Sequence, residues 1–183
     1  FNHRVLTLPR MSEKKRAAVL TREFSTGGAD VTAPLDDYML LSTDKKTKAD
    51  TVLATRVESA VIETYINLAA ACGLKLYSID LALAGQIKLV RATPELAGKS
   101  FVVLQFDGDS LIAGLYEKGQ YKYSTRSRLF NPRGTEASGA EIGQKLSGLI
   151  QFQTAAKSEH PIKAVYFGGS TAADLAACMP ACR

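Results

Sequence analysis

The chain has 183 residues, 46% of them hydrophobic and 22% charged, a composition that excludes a disordered or low-complexity protein. At that length folding buries roughly 70% of the extended chain's surface, so the core needs neither disulfides nor a structural metal, and no run approaches the ~20 apolar residues of a membrane-spanning helix. Twenty-three Lys and Arg against 18 Asp and Glu give a formal charge of +5, a mild excess gathered at Arg10, Lys14, Lys15 and Arg16 and again at Lys45, Lys46 and Lys48. These clusters read either as solvated surface or as an attraction for an anionic partner. No aromatic residues interleave with them and no zinc-finger or RNA-binding signature occurs, so no nucleic acid is expected as a partner.

Cys72, Cys178 and Cys182 are odd in number and form no C-x-x-C pair, which argues against a disulfide framework and a zinc site and fits a reducing cytosol. His3 and His160 are the only histidines, so a metal centre or a Ser-His-Asp triad has almost no raw material. The start carries no secretory signal pattern, and neither Phe1 nor Arg183 reads as a natural terminus.

In chain order, residues 4–8 alternate like a strand and stop at Pro9. Ser12 caps a predicted helix with Ala17, Leu20 and Phe24 inward and Lys14, Lys15 and Arg22 outward, ended by Gly27 and Gly28. Segments 37–43 and 50–55 form a hairpin-like pair around the polar DKKTK turn. Thr55 and Glu58 stand at capping-box spacing before a helix carrying Val57, Val61, Tyr65 and Leu68 inward, with Cys72 buried beside Leu68 and Gly73 as its stop. Residues 75–80 read as a strand, 81–92 as a short apolar helix and 94–99 as a linker, with a domain boundary near residue 98.

Beyond it, segments 100–106, 110–117 and 120–128 are joined by the tight-turn pairs GD and KG and form an antiparallel meander. A helix over about 138–157 follows, with Ile142, Leu146, Leu149, Ile150 and Gln153 on one side. A buried strand IKAVYF then runs into GGST and an alanine-rich helix. Gly168 and Gly169 remove two side chains at a strand's carboxyl end, and the next helix offers unpaired N–H groups, an arrangement that suits either a bare tight turn or a nucleotide. Neither a P-loop nor a dinucleotide fingerprint occurs.

The run TRVESAVIETYINLAAACGLKLYSIDLALAG, then FVVLQFDGDSLIAGLYEKGQYKYSTRSRL, then the long helix and PIKAVYFGGST, resembles the actin-like PilM proteins of type IV pilus assembly. The resemblance implies an α/β (α+β) fold: an actin-like, ribonuclease H-like lobe with an inserted α+β subdomain, the insertion and its connecting helix over 1–98 and the second lobe over 99–183. It implies an adenosine-side contact at Gly168, Gly169 and Ser170. It also places a second phosphate loop at Gln105–Ser110, where Gln105 stands for the usual carboxylate, or Asp107 and Gly108 in a shifted pairing substitute. An amide neither acts as a base nor holds Mg²⁺ as a carboxylate does. The first phosphate loop belongs to an N-terminal strand pair outside this sequence, so ATP is expected only in the complete protein, with no catalytic residue and no metal ligand here.

The function so implied is a cytoplasmic scaffold, peripheral to the inner membrane, that docks a short cytoplasmic peptide of an inner-membrane pilus or secretion assembly protein. Arg10, Lys14, Lys15 and Arg16 are its expected partner-binding residues. The cytoplasmic domain of a type II secretion system relative and an active actin-like ATPase are the alternatives.

Overall fold

A computed structural model describes residues 2–25 and 33–182. The helix stop expected at Gly27 and Gly28 lies outside the described residues. The chain divides into two compact units, Phe1–Leu81 and Ala82–Arg183, so the division falls after Leu81 rather than near residue 98. The reason is the helix at 82–91, whose Gln86 accepts the Tyr116 hydroxyl proton at 3.0 Å and so belongs with the strand that carries Tyr116.

In the first unit β1 (Asn2–Pro9), α1 (Glu13–Ser25), β2 (Pro34–Asp44), β3 (Ala49–Glu58) and α2 (Ser59–Ala71) follow one another. The three strands form an antiparallel sheet in the order β1-β3-β2; the β2–β3 hairpin is the one read from the sequence, with both strands longer than expected, and the pairing of β1 with β3 is added by the structure. Leu20 and Phe24 of α1 bury against Leu8, Val52 and Ala54. Arg16, rather than Ala17, fills the next inward position of α1. Its Nη2 donates to Asp50 Oδ2 at 2.6 Å, its Nη1 donates to the Tyr38 hydroxyl at 2.9 Å, and the guanidinium lies 4.8 Å from the Tyr38 ring centre. The expectation that Arg16 is a partner-binding residue is therefore corrected: its guanidinium donates to a carboxylate and a hydroxyl at once and stacks on an aromatic face, so it is taken inside where a lysine would not be. A second arginine repeats the pattern, Arg56 donating to both carboxylate oxygens of Asp36 at 2.7 and 2.8 Å.

Thr55 and Glu58 do not form a capping box. The β2–β3 ladder runs on to the Pro34–Glu58 pair, so Thr55 stays in the strand, and Glu58 caps α2 without a side-chain hydrogen bond. The apolar side of α2 is not covered among the described residues: Tyr65, Ile66 and Leu68 are exposed, and so is Cys72, contrary to the expectation of a buried thiol. Gly73, at φ +66°, ends the helix as read from the sequence. Residues 75–80 pair with no strand and Tyr77 is 97% exposed, so the strand expected there is absent; strand-forming residues without a ladder partner have nothing to satisfy their backbone groups but water.

The second unit holds α3 (Ala82–Arg91), a single 3₁₀ turn (Pro94–Leu96), β4 (Phe101–Asp107), β5 (Ser110–Glu117), β6 (Gln120–Arg128), α4 (Glu136–Ala155), β7 (Ala164–Gly168) and α5 (Ala172–Cys178). Its sheet has the order β6-β5-β4-β7, with β7 parallel to β4 and the meander antiparallel as predicted. Alternate strand residues Val102, Leu104, Phe106, Leu111, Ala113 and Leu115 pack against Ile142, Leu146 and Leu149 of α4 and Cys178 of α5. Ile150 is exposed instead of inward, and β7 is a half-buried edge rather than a buried strand. On the opposite face Phe101 and Tyr116 stack at 5.1 Å, and a side chain at Gly114 would sit 2.2 Å from Gln86 Oε1. A larger residue there would have to displace the Gln86 side chain from its bond with Tyr116.

Asp50→Ala leaves the Arg16 guanidinium buried without its carboxylate and should destabilise the protein by about 3 kcal/mol in urea unfolding. In native protein Cys72 should react with a thiol reagent within minutes while Cys178 stays unlabelled until unfolding, read by mass spectrometry of the labelled peptides.

Candidate functional site at the strand ends

Parallel pairing of β7 with β4 sets Gly168 opposite Gln105, so the segment Gly168-Gly169-Ser170 emerges beside the two-residue turn Gly108-Asp109 between β4 and β5. The structure thus brings together the five residues that the resemblance marks as cofactor-binding: Gly168, Gly169, Ser170, Asp107 and Gly108. Gly169 has φ +66°, and a Cβ there would meet the Phe106 carbonyl oxygen at 2.7 Å. Both the conformation and the contact demand glycine. Gly108 takes φ +56° in the hairpin turn.

After Ser170 the chain enters α5 through a capping box. The Thr171 hydroxyl accepts the Asp174 N–H at 3.2 Å, and Asp174 Oδ2 accepts the Thr171 N–H at 2.8 Å. Asp174 is 2% exposed. Its second partner is Arg133, from the loop that links β6 to α4. The Arg133 Nε donates to Asp174 Oδ1 at 3.3 Å and its Nη2 donates to Oδ2 at 2.5 Å. The same guanidinium donates to the Gly169 carbonyl at 2.9 Å and the Gly108 carbonyl at 3.2 Å, and lies 4.4 Å from the Phe106 ring centre. One side chain therefore ties the β4–β5 turn, the β7–α5 junction and the first turn of α5 together. The hydrogen bond from Arg133, helped by those of Thr171, holds the Asp174 carboxyl at about 2, well below the ordinary carboxylate value, and Asp174 in turn raises Arg133.

Arg133 and Asp174 carry no motif that a nucleotide reading singles out. The sequence signals that could have found them are the turn run Asn131-Pro132-Arg133-Gly134 and the T-x-x-D spacing of Thr171 and Asp174.

A phosphate needs donors, and this junction turns two carbonyl oxygens and a carboxylate inward onto a cation of its own. Asp107 is exposed and 3.4 Å from the exposed Arg126, while Gln105 is uncharged. The residues present do not fit the phosphates of a magnesium nucleotide, and close packing accounts for Gly169.

The basic residues assemble elsewhere. The Arg10 N–H donates to the Lys48 carbonyl at 2.8 Å, which the Pro9–Ala49 pairing of β1 with β3 makes unavoidable. Arg10, Lys14 and Lys15 at the start of α1 thereby share one end of the first unit with Lys45, Lys46 and Lys48 of the β2–β3 turn, all exposed. Asp44 Oδ1 accepts the Lys46 and Thr47 N–H groups and shapes that turn. Arg16 points away from this end into the core.

No family model matches the chain, and no curated protein matches it in sequence. Solved structures do. A PilM-PilN type IV pilus biogenesis complex matches over 98% of this chain with a TM-score of 0.75 at 15% identity. The fold is actin-like. A Bacteroides thetaiotaomicron protein of unknown function with the actin-like ATPase fold matches over 97% of the chain with a TM-score of 0.54 at 11% identity. The chain spans 63% of the pilus protein's length and 60% of the other's. Type IV pilus assembly belongs to the first of these neighbours; what is shared is the actin-like, PilM-like architecture.

Asp174 contributes stability that is present above about pH 4 and lost as pH falls toward 2, because its carboxyl is lowered from 3.8 to about 2 in the folded protein. That shift corresponds to about 2 kcal/mol. Arg133→Ala should lower stability at pH 7 by about 2–4 kcal/mol, since it orphans a buried carboxylate, and should flatten the pH dependence of the melting temperature between pH 4 and pH 2.

Proposed function

We propose that this chain is part of an actin-like scaffold in a type IV pilus or related secretion assembly, and that it docks a short cytoplasmic segment of an inner-membrane partner. The observation that carries the reading is the match to a PilM-PilN complex along almost the whole chain, both units included. The location that goes with it is the cytoplasm, peripheral to the inner membrane. No helix among the described residues is long and apolar enough to cross a membrane. The basic end formed by Arg10, Lys14, Lys15, Lys45, Lys46 and Lys48 supports an acidic partner tail: exposed cations of this kind speed encounter more than they deepen affinity.

In this reading nucleotide chemistry is secondary. The strand-end junction is filled by Arg133, so this chain by itself takes up ATP weakly or not at all and releases no phosphate from it.

The test is stopped-flow binding of the complete protein to a labelled peptide spanning the cytoplasmic tail of its membrane-anchored genomic neighbour. Lys14→Glu with Lys15→Glu should slow association at low salt by about tenfold and leave circular dichroism unchanged. Unchanged kinetics remove these residues from the interface, and no binding at all removes the scaffold reading. Calorimetry on this chain with ATP and Mg²⁺ should show no micromolar binding.

A further inference from the structure

The second unit has an open sheet edge that the docking reading does not use. In the order β6-β5-β4-β7, β6 has β5 as its one neighbour among the described residues. The Leu129 N–H donates to the Asp109 carbonyl at 2.7 Å, which sets the alternation of the antiparallel pair. Thr125 and Ser127 turn their backbone groups to β5, and Ser124, Arg126 and Arg128 turn theirs outward along the free edge. A register shift opposite Leu115 and Tyr116 interrupts the start of β6, leaving 123–128 as a regular pairing surface.

The side chains on this edge are ordered by face. Ser124, Arg126 and Arg128 alternate to one side and Tyr123, Thr125 and Ser127 to the other. Arg128 is exposed, and Arg126 has a single loose counter-charge, the exposed Asp107 at 3.4 Å. On the opposite side Tyr123 stacks on Phe152 at 4.5 Å and is held upright. Phe130, two residues beyond the strand, is 87% exposed. It is not on a loose loop: the Phe130 and Asn131 N–H groups donate to Glu141 Oε2 at 3.0 and 3.2 Å. Its backbone is thus fixed before any partner arrives, so ordering it costs little on binding.

We propose that the free edge of β6 is a binding site for an extended protein segment with acidic side chains at alternate positions, which adds to the sheet as a further strand and contacts Phe130. Strand addition supplies main-chain hydrogen bonds, and the side chains supply the selection. Residues two apart on a strand are ~6.8 Å apart on the same face, so carboxylates at every second position fall opposite Arg126 and Arg128. A second copy of this chain is the poorer occupant, because pairing β6 with itself would bring arginines of like sign together on a protein already at +5. The site does not rest on the pilus reading.

The experiment uses the full chain and a fluorescein-labelled peptide of about eight residues that alternates Glu with Thr and Val and carries a terminal Phe. Anisotropy should report saturable binding that weakens as salt rises. Arg126→Glu with Arg128→Glu should weaken it at least about tenfold, and Phe130→Ala by about threefold or more. Both changes are on the surface and leave the fold intact. Hydrogen exchange should show the Ser124, Arg126 and Arg128 amides slowed by the peptide, with Thr125 and Ser127 unchanged because they already bond to β5. A peptide with the same residues but its glutamates in one block should bind at least about tenfold more weakly. The proposal is overturned by absence of binding, by binding indifferent to the double charge reversal, by equal affinity for the blocked peptide, by no protection of the outward amides, or by sedimentation showing that the edge is already covered by a second copy.

Discussion

The second unit turns on one guanidinium. Arg133 reaches from the β6–α4 loop to a carboxylate in the first turn of α5 and to carbonyls in two separate turns, resting meanwhile on the Phe106 ring. It joins its own loop to two segments far away in sequence, the β4–β5 turn and the β7–α5 junction, and both supply acceptors. The arrangement has a consequence for chemistry. In a phosphate-binding turn the backbone N–H groups point outward to the ligand, whereas here carbonyls point inward to a cation, so the same glycine-rich elements serve cohesion.

The first unit uses arginine in the same way. Arg16 and Arg56 each pair with an aspartate under α1 and each lies over an aromatic ring. Buried pairs of this kind add less net stability than apolar packing, but they are costly to break on one side. The lysines by contrast stay at the exposed end around Arg10. Arg16, Arg56 and Arg133 serve cohesion, while Arg10 and the lysines beside it supply exposed charge, two roles that composition alone merges.

Two exposed features then stand out as places where another molecule can be met, one in each unit. The end of the first unit offers positive charge without apolar surface and suits fast, salt-sensitive encounter. The β6 edge offers unpaired backbone groups, two arginines on one face and a rigidly held phenylalanine, which suits a longer-lived contact.

Much of the architecture was legible in the sequence where local chemistry was unopposed. The meander from Phe101 to Arg128 follows from alternating residues and the GD and KG turns, and the bounds of β5 and β6 are those read from the sequence. The order of elements also carried the actin-like resemblance, which the solved structures bear out at the level of fold. Local signals failed where a longer-range partner competed. The Thr55–Glu58 cap lost to the β2–β3 ladder, and the apolar stripe of α2 has no cover among the described residues, so Cys72 stands in the open. Arg16 looks like its lysine neighbours until Asp50 and Tyr38 are brought beneath it by β3 and β2. The sequence by itself determined the strand and helix periodicities, the glycine turns and the net charge, because these depend on residues within a few positions of each other. Which charges are buried, which glycines are forced by a neighbour's backbone, and what fills the strand-end junction were decided only by tertiary structure, because each depends on a contact between residues separated by tens of positions.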